Sequence, residues 1–258
     1  MKTLVLGDIH GRNCWKQIIE KETPDRVIFL GDFVTTHELY SEDDQLQQLR
    51  EILEYKKANP NTIILRGNHD LDGLGYYWAQ CYPAVGRKVS AFMNRHKPLG
   101  KNFLEASQWI HVEEIGGKPY IFAHAGVTME WMAAILKLDT TNIPAALEQI
   151  NKMEPSENFG FTGGRWDNYG TDPQQSCTWI RPDTLVRHAI PGYNYVVGHT
   201  GTYGECAMRP IEEPYKNEVD GEKFTAYRDT EQVLWQCDAL QQGAYLVIED
   251  DKFIPKIL

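Results

Sequence analysis

Five short apolar runs, each ending beside a glycine and a carboxylate, imidazole or amide, constrain this chain more than any other feature of its 258 residues. Residues 2–6 run into Gly7-Asp8-Ile9-His10-Gly11, residues 26–30 into Gly31-Asp32, and residues 62–65 into Arg66-Gly67-Asn68-His69-Asp70. Residues 120–122 run into Ala123-His124-Ala125-Gly126, and residues 193–197 into Gly198-His199-Thr200. The first three runs are too short for helices and rich in β-branched residues. Helical segments lie between them: residues 13–22, then a stretch that begins at Ser41. That stretch carries Asp44 three residues on as a weaker form of the capping box and Leu46, Leu49, Ile52 and Leu53 on one face. It stops at Asn59-Pro60-Asn61. Continuous rather than alternating apolar character means burial on both faces, so these strands belong in a parallel sheet covered by helices.

The later chain is more mixed. Residues 72–97 read as largely helical, and 111–115 with 118–123 flank Gly116-Gly117, a two-residue hairpin signal. Residues 129–138 and 143–153 read as helices and 154–178 as irregular loop. Runs at 224–227, 233–236, 244–248 and 253–257 are expected to build a second, more antiparallel sheet. No linker or repeat divides the chain. Residues 1–258 are therefore taken as one α/β domain with helical insertions around 72–110 and 128–178.

Ligands of parallel α/β sheets bind beyond the carboxyl ends of the strands, so the five motifs can converge. Asp8, His10, Asp32, Asn68, His124 and His199 then offer six oxygen or nitrogen donors of the kind divalent cations take. That is more than one ion needs, and two ions sharing a carboxylate is the economical arrangement. One Gly-Asp alone reads as a turn; five such motifs in order at strand ends do not.

Charge supports the same idea. With 36 acidic and 26 basic side chains the net charge is −10, which gives no support to nucleic-acid or anionic-membrane binding. A positive site has to come from something other than the whole-chain charge, and bound metal cations can supply it. The five cysteines lie far apart with no C-x-x-C pair, so neither a disulfide framework nor a zinc-thiolate site is expected. No run approaches the roughly 18 apolar residues of a membrane span, and the opening run is too short for a signal-peptide core. A cytoplasmic location is expected.

The series GDIHG, GD, GNHD, HAG and GHT resembles the calcineurin-like metallophosphoesterase superfamily. It looks closest to the branch of small bacterial and phage Ser/Thr phosphatases and diadenosine tetraphosphate hydrolases. The likeness spans Asp8 to His199. It implies a four-layer αββα sandwich of two mixed β-sheets with a dinuclear metal site at one sheet edge. By the same resemblance, Asp8, His10 and Asp32 hold one divalent ion, and Asn68, His124 and His199 hold a second, with Asp32 bridging. Manganese is the first expectation; iron, zinc, cobalt and nickel suit the same donors. His69 matches the family's general acid, working with a hydroxide that bridges the metals.

One departure stands out. Phosphoprotein phosphatases continue Gly-Asp-x-x-Asp-Arg-Gly, whereas this chain reads Gly31-Asp32-Phe33-Val34-Thr35-Thr36-His37. Thr35 stands where the carboxylate beside the acid would be, and Thr36 where the phosphate-binding arginine would be. Arg181, in Trp179-Ile180-Arg181-Pro182, is the leading replacement, with Arg12 and Arg66 behind it; the alternative for each is an ordinary ion pair. The aromatics Tyr76-Tyr77-Trp78, Trp131, Phe159–Phe161 and Trp166 are expected mostly in the core, with a minority lining a substrate groove or stacking on a base, and Asp238 in a buried turn contact. The expected activity is hydrolysis of a phosphate ester on a small molecule, nucleotide or phosphoprotein, most simply by a phosphomonoesterase. A dinucleoside polyphosphate hydrolase is the second reading, and a non-catalytic interaction module on the same fold the third.

Overall fold

The computed structural model of the chain describes residues 1–35, 40–76, 98–161, 170–202, 204–212, 218–219, 222–223 and 229–258. The readings made for residues 77–97, for 162–169, for 224–227 and for Thr36 fall outside the described residues. The first third alternates as expected: β1 (Thr3–Leu6), α1 (Cys14–Glu22), β2 (Arg26–Phe29), α2 (Glu42–Ala58), β3 (Ile63–Ile64) and α3 (Asn68–Gly73). Helix α2 starts where its cap signal stands. Ser41 Oγ accepts from Asp44 N–H, and the Asp44 carboxylate returns the bond to Ser41 N–H.

After α4 (Leu99–Ala106), strands β4 (Ile110–Ile115) and β5 (Lys118–Ala123) form the hairpin expected at Gly116-Gly117, both of which have positive φ. Helices α5 (Ile143–Asn151) and α6 (Pro182–His188) precede β6 (Asn194–Gly201) and β7 (Ala207–Glu212). A small ladder of β8 (Glu218–Val219) and β9 (Glu222–Lys223) follows, then β10 (Asp229–Asp238), β11 (Ala244–Glu249) and β12 (Lys252–Ile257).

Two five-stranded mixed sheets result. The first runs β12-β11-β1-β2-β3, parallel across β1-β2-β3 and antiparallel at β11 and β12. The second runs β4-β5-β6-β10-β7, parallel across β5-β6-β10 with antiparallel edges. Alternate residues explain the stacking. Val5, Ile28 and Leu246 from one sheet share a buried cluster with Phe122 and Val196 from the other. Their neighbours Leu4, Leu6, Phe29, Ile121 and Val197 join a second cluster with residues of α1, α2, α5 and α6. One face of each sheet meets the other sheet and the opposite face meets helices, which is the four-layer sandwich.

Three expectations are corrected. Strands β11 and β12 do not join a separate C-terminal sheet; β11 pairs with β1, and β10 inserts between β6 and β7. Length and apolarity mark those strands, but the partner is chosen by long-range packing that no local pattern encodes. Strand β6 does not stop before Gly198 but continues to Gly201, with His199 at φ +62° inside it and a register shift in β10 opposite. Within the helical run near 129, residues Trp131–Ile135 form a π-helical turn. Trp131 and Phe159 are fully buried, and Trp109 stacks on Phe159, as expected for core aromatics. Among the described residues no helix is long and apolar enough to cross a membrane.

Candidate dinuclear metal centre

The carboxyl ends of β1, β2 and β5 and the bulged end of β6 meet at one rim of the sandwich, with the start of α3 beside them. The chain approaches itself there too closely for side chains. A Cβ on Gly198 would strike the Asp8 carboxylate, and one on Gly67 would strike Asp32. Glycine is required at both positions for the close approach.

Asp32, with φ +51°, sits at the middle of the rim. Its Oδ1 accepts the His69 backbone N–H at 2.9 Å, while its Oδ2 lies 3.2 Å from His124 Nε2 and 3.9 Å from His10 Nε2. Asp8 accepts the His199 N–H at 3.0 Å through Oδ1, and its Oδ2 stands 3.9 Å from His10 Nε2. Asn68 Oδ1 is 2.9 Å from His124 Nε2. Ligand atoms of His10, Asp32 and His69 lie within 4.8 Å of one another, as do those of Asp32, His124 and His199. Asp32 is common to both groups.

Three histidines share one anchoring pattern. His124 Nδ1 faces the Leu30 carbonyl at 2.9 Å, His10 Nδ1 the Val34 carbonyl at 3.3 Å, and His199 Nε2 the Trp179 carbonyl at 3.2 Å. A carbonyl only accepts, so each of those nitrogens carries the hydrogen. The opposite nitrogen of a neutral ring is then a lone pair directed into the cluster. Such a backbone anchor is what metal-ligating imidazoles ordinarily have. At His124 that lone pair meets two oxygens, an arrangement that repels unless a proton or cation lies between. The donor set therefore fits divalent cations. His69 differs: its Nδ1 is hydrogen-bonded to Thr35 Oγ1 rather than to a carbonyl.

The electrostatics agree. Burial would raise Asp32, but His124, His69 and His10 outweigh it and hold its carboxyl well below the usual range. Burial, followed by repulsion from Asp238, pushes Asp8 up. Burial alone would lower His124, yet Asp32 and Asp8 raise it to about 10. In the absence of a cation, a proton stands in for the charge these carboxylates require. Burial and the Arg181 charge lower His199, keeping it neutral as a ligand must be. Asp238 ends β10 near the same carboxylates and is raised by burial, while its carbonyl accepts Thr202 N–H.

The three arginines are placed differently. Arg181 donates to the His199 carbonyl at 3.2 Å and to Thr200 Oγ1 at 3.1 Å, at the edge of the cluster. Arg12 is buried and donates to the Asp8 carbonyl at 3.0 Å, bracing the first motif from behind. Arg66 gives Nε to Ser107 Oγ and one terminal nitrogen to the Leu104 and Ser107 carbonyls, with its plane over Trp109. Asp70 was quoted in the third motif without a role. Its carboxylate accepts from Asp32 N, Phe33 N and Gly67 N at 2.7–2.9 Å, tying the β2 loop to the start of α3. Burial and the Asp32 charge raise its pKa to about 7. Its place after His69 was the available signal.

Comparison with known proteins converges on one family. The profile of the calcineurin-like phosphoesterases matches residues 1–219. A protein of Proteus mirabilis (strain HI4320) named bis(5'-nucleosyl)-tetraphosphatase, symmetrical, is 25% identical over 216 residues, 74% of this chain and 69% of that protein. Among solved structures, a hypothetical protein of Pyrococcus horikoshii OT3 aligns over 100% of this chain and 87% of its own, with a TM-score of 0.51 and 10% identity. A metallophosphoesterase of Sphaerobacter thermophilus aligns over 99% of this chain and 87% of its own, with a TM-score of 0.47 and 16% identity.

Proposed function

The chain belongs to the calcineurin-like phosphoesterase family and is a phosphate-ester hydrolase, and from that premise we propose that it is a phosphomonoesterase dependent on two divalent ions. The observation that carries this reading is that Asp32 belongs both to the group with His10 and His69 and to the group with His124 and His199, with His10, His124 and His199 anchored on backbone carbonyls. Asp8, His10 and Asp32 hold one ion; Asn68, His124 and His199 join Asp32 on the other. Manganese is the first candidate, and reconstitution with manganese, iron, zinc, cobalt and nickel in parallel ranks them.

Two bound cations supply charge neutralisation for the phosphoryl oxygens and lower the pKa of water. The chain's own residues do the rest. With Nδ1 engaged by Thr35, His69 delivers its proton from Nε2 to the departing oxygen. Arg181 is the guanidinium best placed to hold a phosphoryl oxygen, because it already borders His199. Arg12 and Arg66 act as struts of the loops that carry Asp8 and Asn68. Residues 1–258 work as one catalytic domain.

The test is metal content and turnover in Asp32→Asn. Removing the shared charge is expected to lower both together, turnover by more than about 100-fold. His199→Ala should be partly rescued by excess metal. Near-normal turnover of Asp32→Asn at limiting metal would overturn the shared-carboxylate arrangement. A second reading, hydrolysis of a dinucleoside polyphosphate, draws support from the name of the Proteus mirabilis relative and from Arg181 beside His199. A panel of phosphomonoesters, phosphopeptides and dinucleoside polyphosphates separates the two.

A further inference from the structure

At the end of β10 two strands bring a pair of thiols face to face. Strands β7 and β10 run antiparallel, with Trp235 opposite Met208 and Gln236 opposite Ala207. One step further the same register sets Cys237 opposite Cys206. Both are buried free thiols, and both belong to the cluster between the sheets that contains Val5, Leu30 and Leu246. The Cys237 thiol hydrogen-bonds to Cys206, and burial pushes its pKa up. Thr202 fixes the approach: its N–H donates to the Asp238 carbonyl at 2.9 Å and its Oγ1 to the Glu205 carbonyl at 2.8 Å. Glu205 and Cys206 are thereby held against the end of β10.

Directly opposed residues of an antiparallel pair have Cα atoms about 4.5 or 5.5 Å apart, and both values fall within the roughly 4.4–6.8 Å that a disulfide spans. The two side chains lie on the same face, so the bond forms without a rearrangement of the strands. We propose that Cys206 and Cys237 are a redox-active dithiol that closes to a cross-strand disulfide and stabilises the oxidised protein. The pair lies outside the proposed ligand set and does not depend on the proposed function. The oxidant is a low-molecular-weight disulfide such as oxidised glutathione. Cys206, beside the exposed Glu205, gives its proton to solvent and attacks one glutathione sulfur. The glutathione S–S bond breaks, and one glutathione thiolate leaves with the electron pair. Cys237 then loses its proton and attacks Cys206 Sγ, which forms the protein S–S bond and expels the second glutathione. Two protein thiols are oxidised by two electrons, and the two glutathione thiolates take up the two protons. Burial disfavours the Cys237 thiolate, so closure waits on local opening before β7. The bond bears on the metal rim as well. The Cys237 carbonyl packs against Gly7 with no room for a side chain, and Gly7 precedes Asp8. A cross-link at Cys237 therefore fixes the strand end that backs the first motif.

The experiment equilibrates metal-loaded protein, with manganese in excess, in glutathione mixtures from fully reduced to fully oxidised. One arm contains no denaturant; the other contains urea below the unfolding midpoint, so that the buried pair opens transiently. Free thiols are then blocked with N-ethylmaleimide and the peptides mapped by mass spectrometry. In wild type the oxidised mixtures should yield a linked peptide joining Cys206 to Cys237, sooner in the urea arm. The linked protein should melt about 5 °C or more above the reduced one, and dithiothreitol should reverse both changes. Cys206→Ser and Cys237→Ser should each lose the linked peptide and the rise in Tm, while Cys14→Ser should keep both. The wild-type peptide map decides the matter if a variant fails to fold. Cys206 and Cys237 still free in the most oxidising mixture with urea would overturn the proposal. So would links to other cysteines in place of this one, or a linked protein no more stable than the reduced one.

Discussion

Thr35 has φ +54°, a backbone region that costs a β-branched residue more than almost any other, and that conformation carries its hydroxyl to His69 Nδ1. Where the motif of the phosphoprotein phosphatases places a carboxylate, this chain uses a neutral hydroxyl to orient the histidine. A hydroxyl fixes the ring without adding a charge to a cluster already crowded with Asp8, Asp32, Asp70 and Asp238. In the proposed acid role, Thr35→Val should lower hydrolysis of an alkyl phosphate about tenfold, as expected for one lost hydrogen bond. A nitrophenyl ester, whose phenolate leaves without a proton, should lose much less. Thr35→Ser should recover most of the loss, and metal content should not change. His69→Asn should show the same selectivity with a larger loss, about 100-fold on the alkyl ester. Equal losses on both substrates would mean that Thr35 supports the loop and not the acid. Steady-state kinetics with metal analysis on each variant makes the comparison.

Between elements, Asp70 is the joint. One carboxylate takes the N–H groups of Asp32 and Phe33 at the end of β2 and of Gly67 before α3, so the two loops carrying Asp32 and Asn68 move as a unit. Asn has one acceptor oxygen and turns two donors toward those N–H groups. Asp70→Asn is therefore expected to destabilise the fold by about 2–3 kcal/mol and to weaken metal binding, read by urea unfolding and by metal content after dialysis. This joint also shows what the sequence carries and what it does not. The six proposed donors are legible because each stands within two residues of a glycine at the end of a short apolar run, and the cap of α2 is legible because Ser41 and Asp44 are three residues apart. Local patterns of this kind survive folding. Pairings between distant segments leave no such mark: nothing in residues 244–257 says that β11 pairs with β1, or in residues 193–197 that β6 continues through His199. Thr35 is silent for the same reason, since a threonine acquires meaning only from the group brought opposite it.

Across the whole molecule, the first sheet is closed by a charge placed far from the metal rim. Glu22, the last residue of α1, takes Lys2 Nζ at 2.6 Å and Lys256 Nζ at 2.8 Å on one oxygen and the Tyr245 hydroxyl at 2.8 Å on the other. It thereby ties the helix to the residue before β1, to β11 and to β12, the strands whose return to the first sheet no local pattern announced. Burial would raise the Glu22 carboxyl, but the bonds from Lys2, Lys256 and Tyr245 outweigh it and lower the pKa from 4.5 to about 2. The folded state thus binds the proton less readily than the unfolded chain does. The stability this group contributes is fully present above pH 4.5 and is lost as the pH falls toward 2. The two lysine side chains are 21% and 34% exposed, so solvent screens the pairs and the contribution is about 1 kcal/mol. Glu22→Gln keeps the shape and removes the charge. Urea midpoints for wild type and Glu22→Gln should differ at pH 6, and the gap should close steadily between pH 4.5 and 2. A gap that stayed constant through that range would show that the amide loses packing or hydrogen-bond geometry rather than the charge.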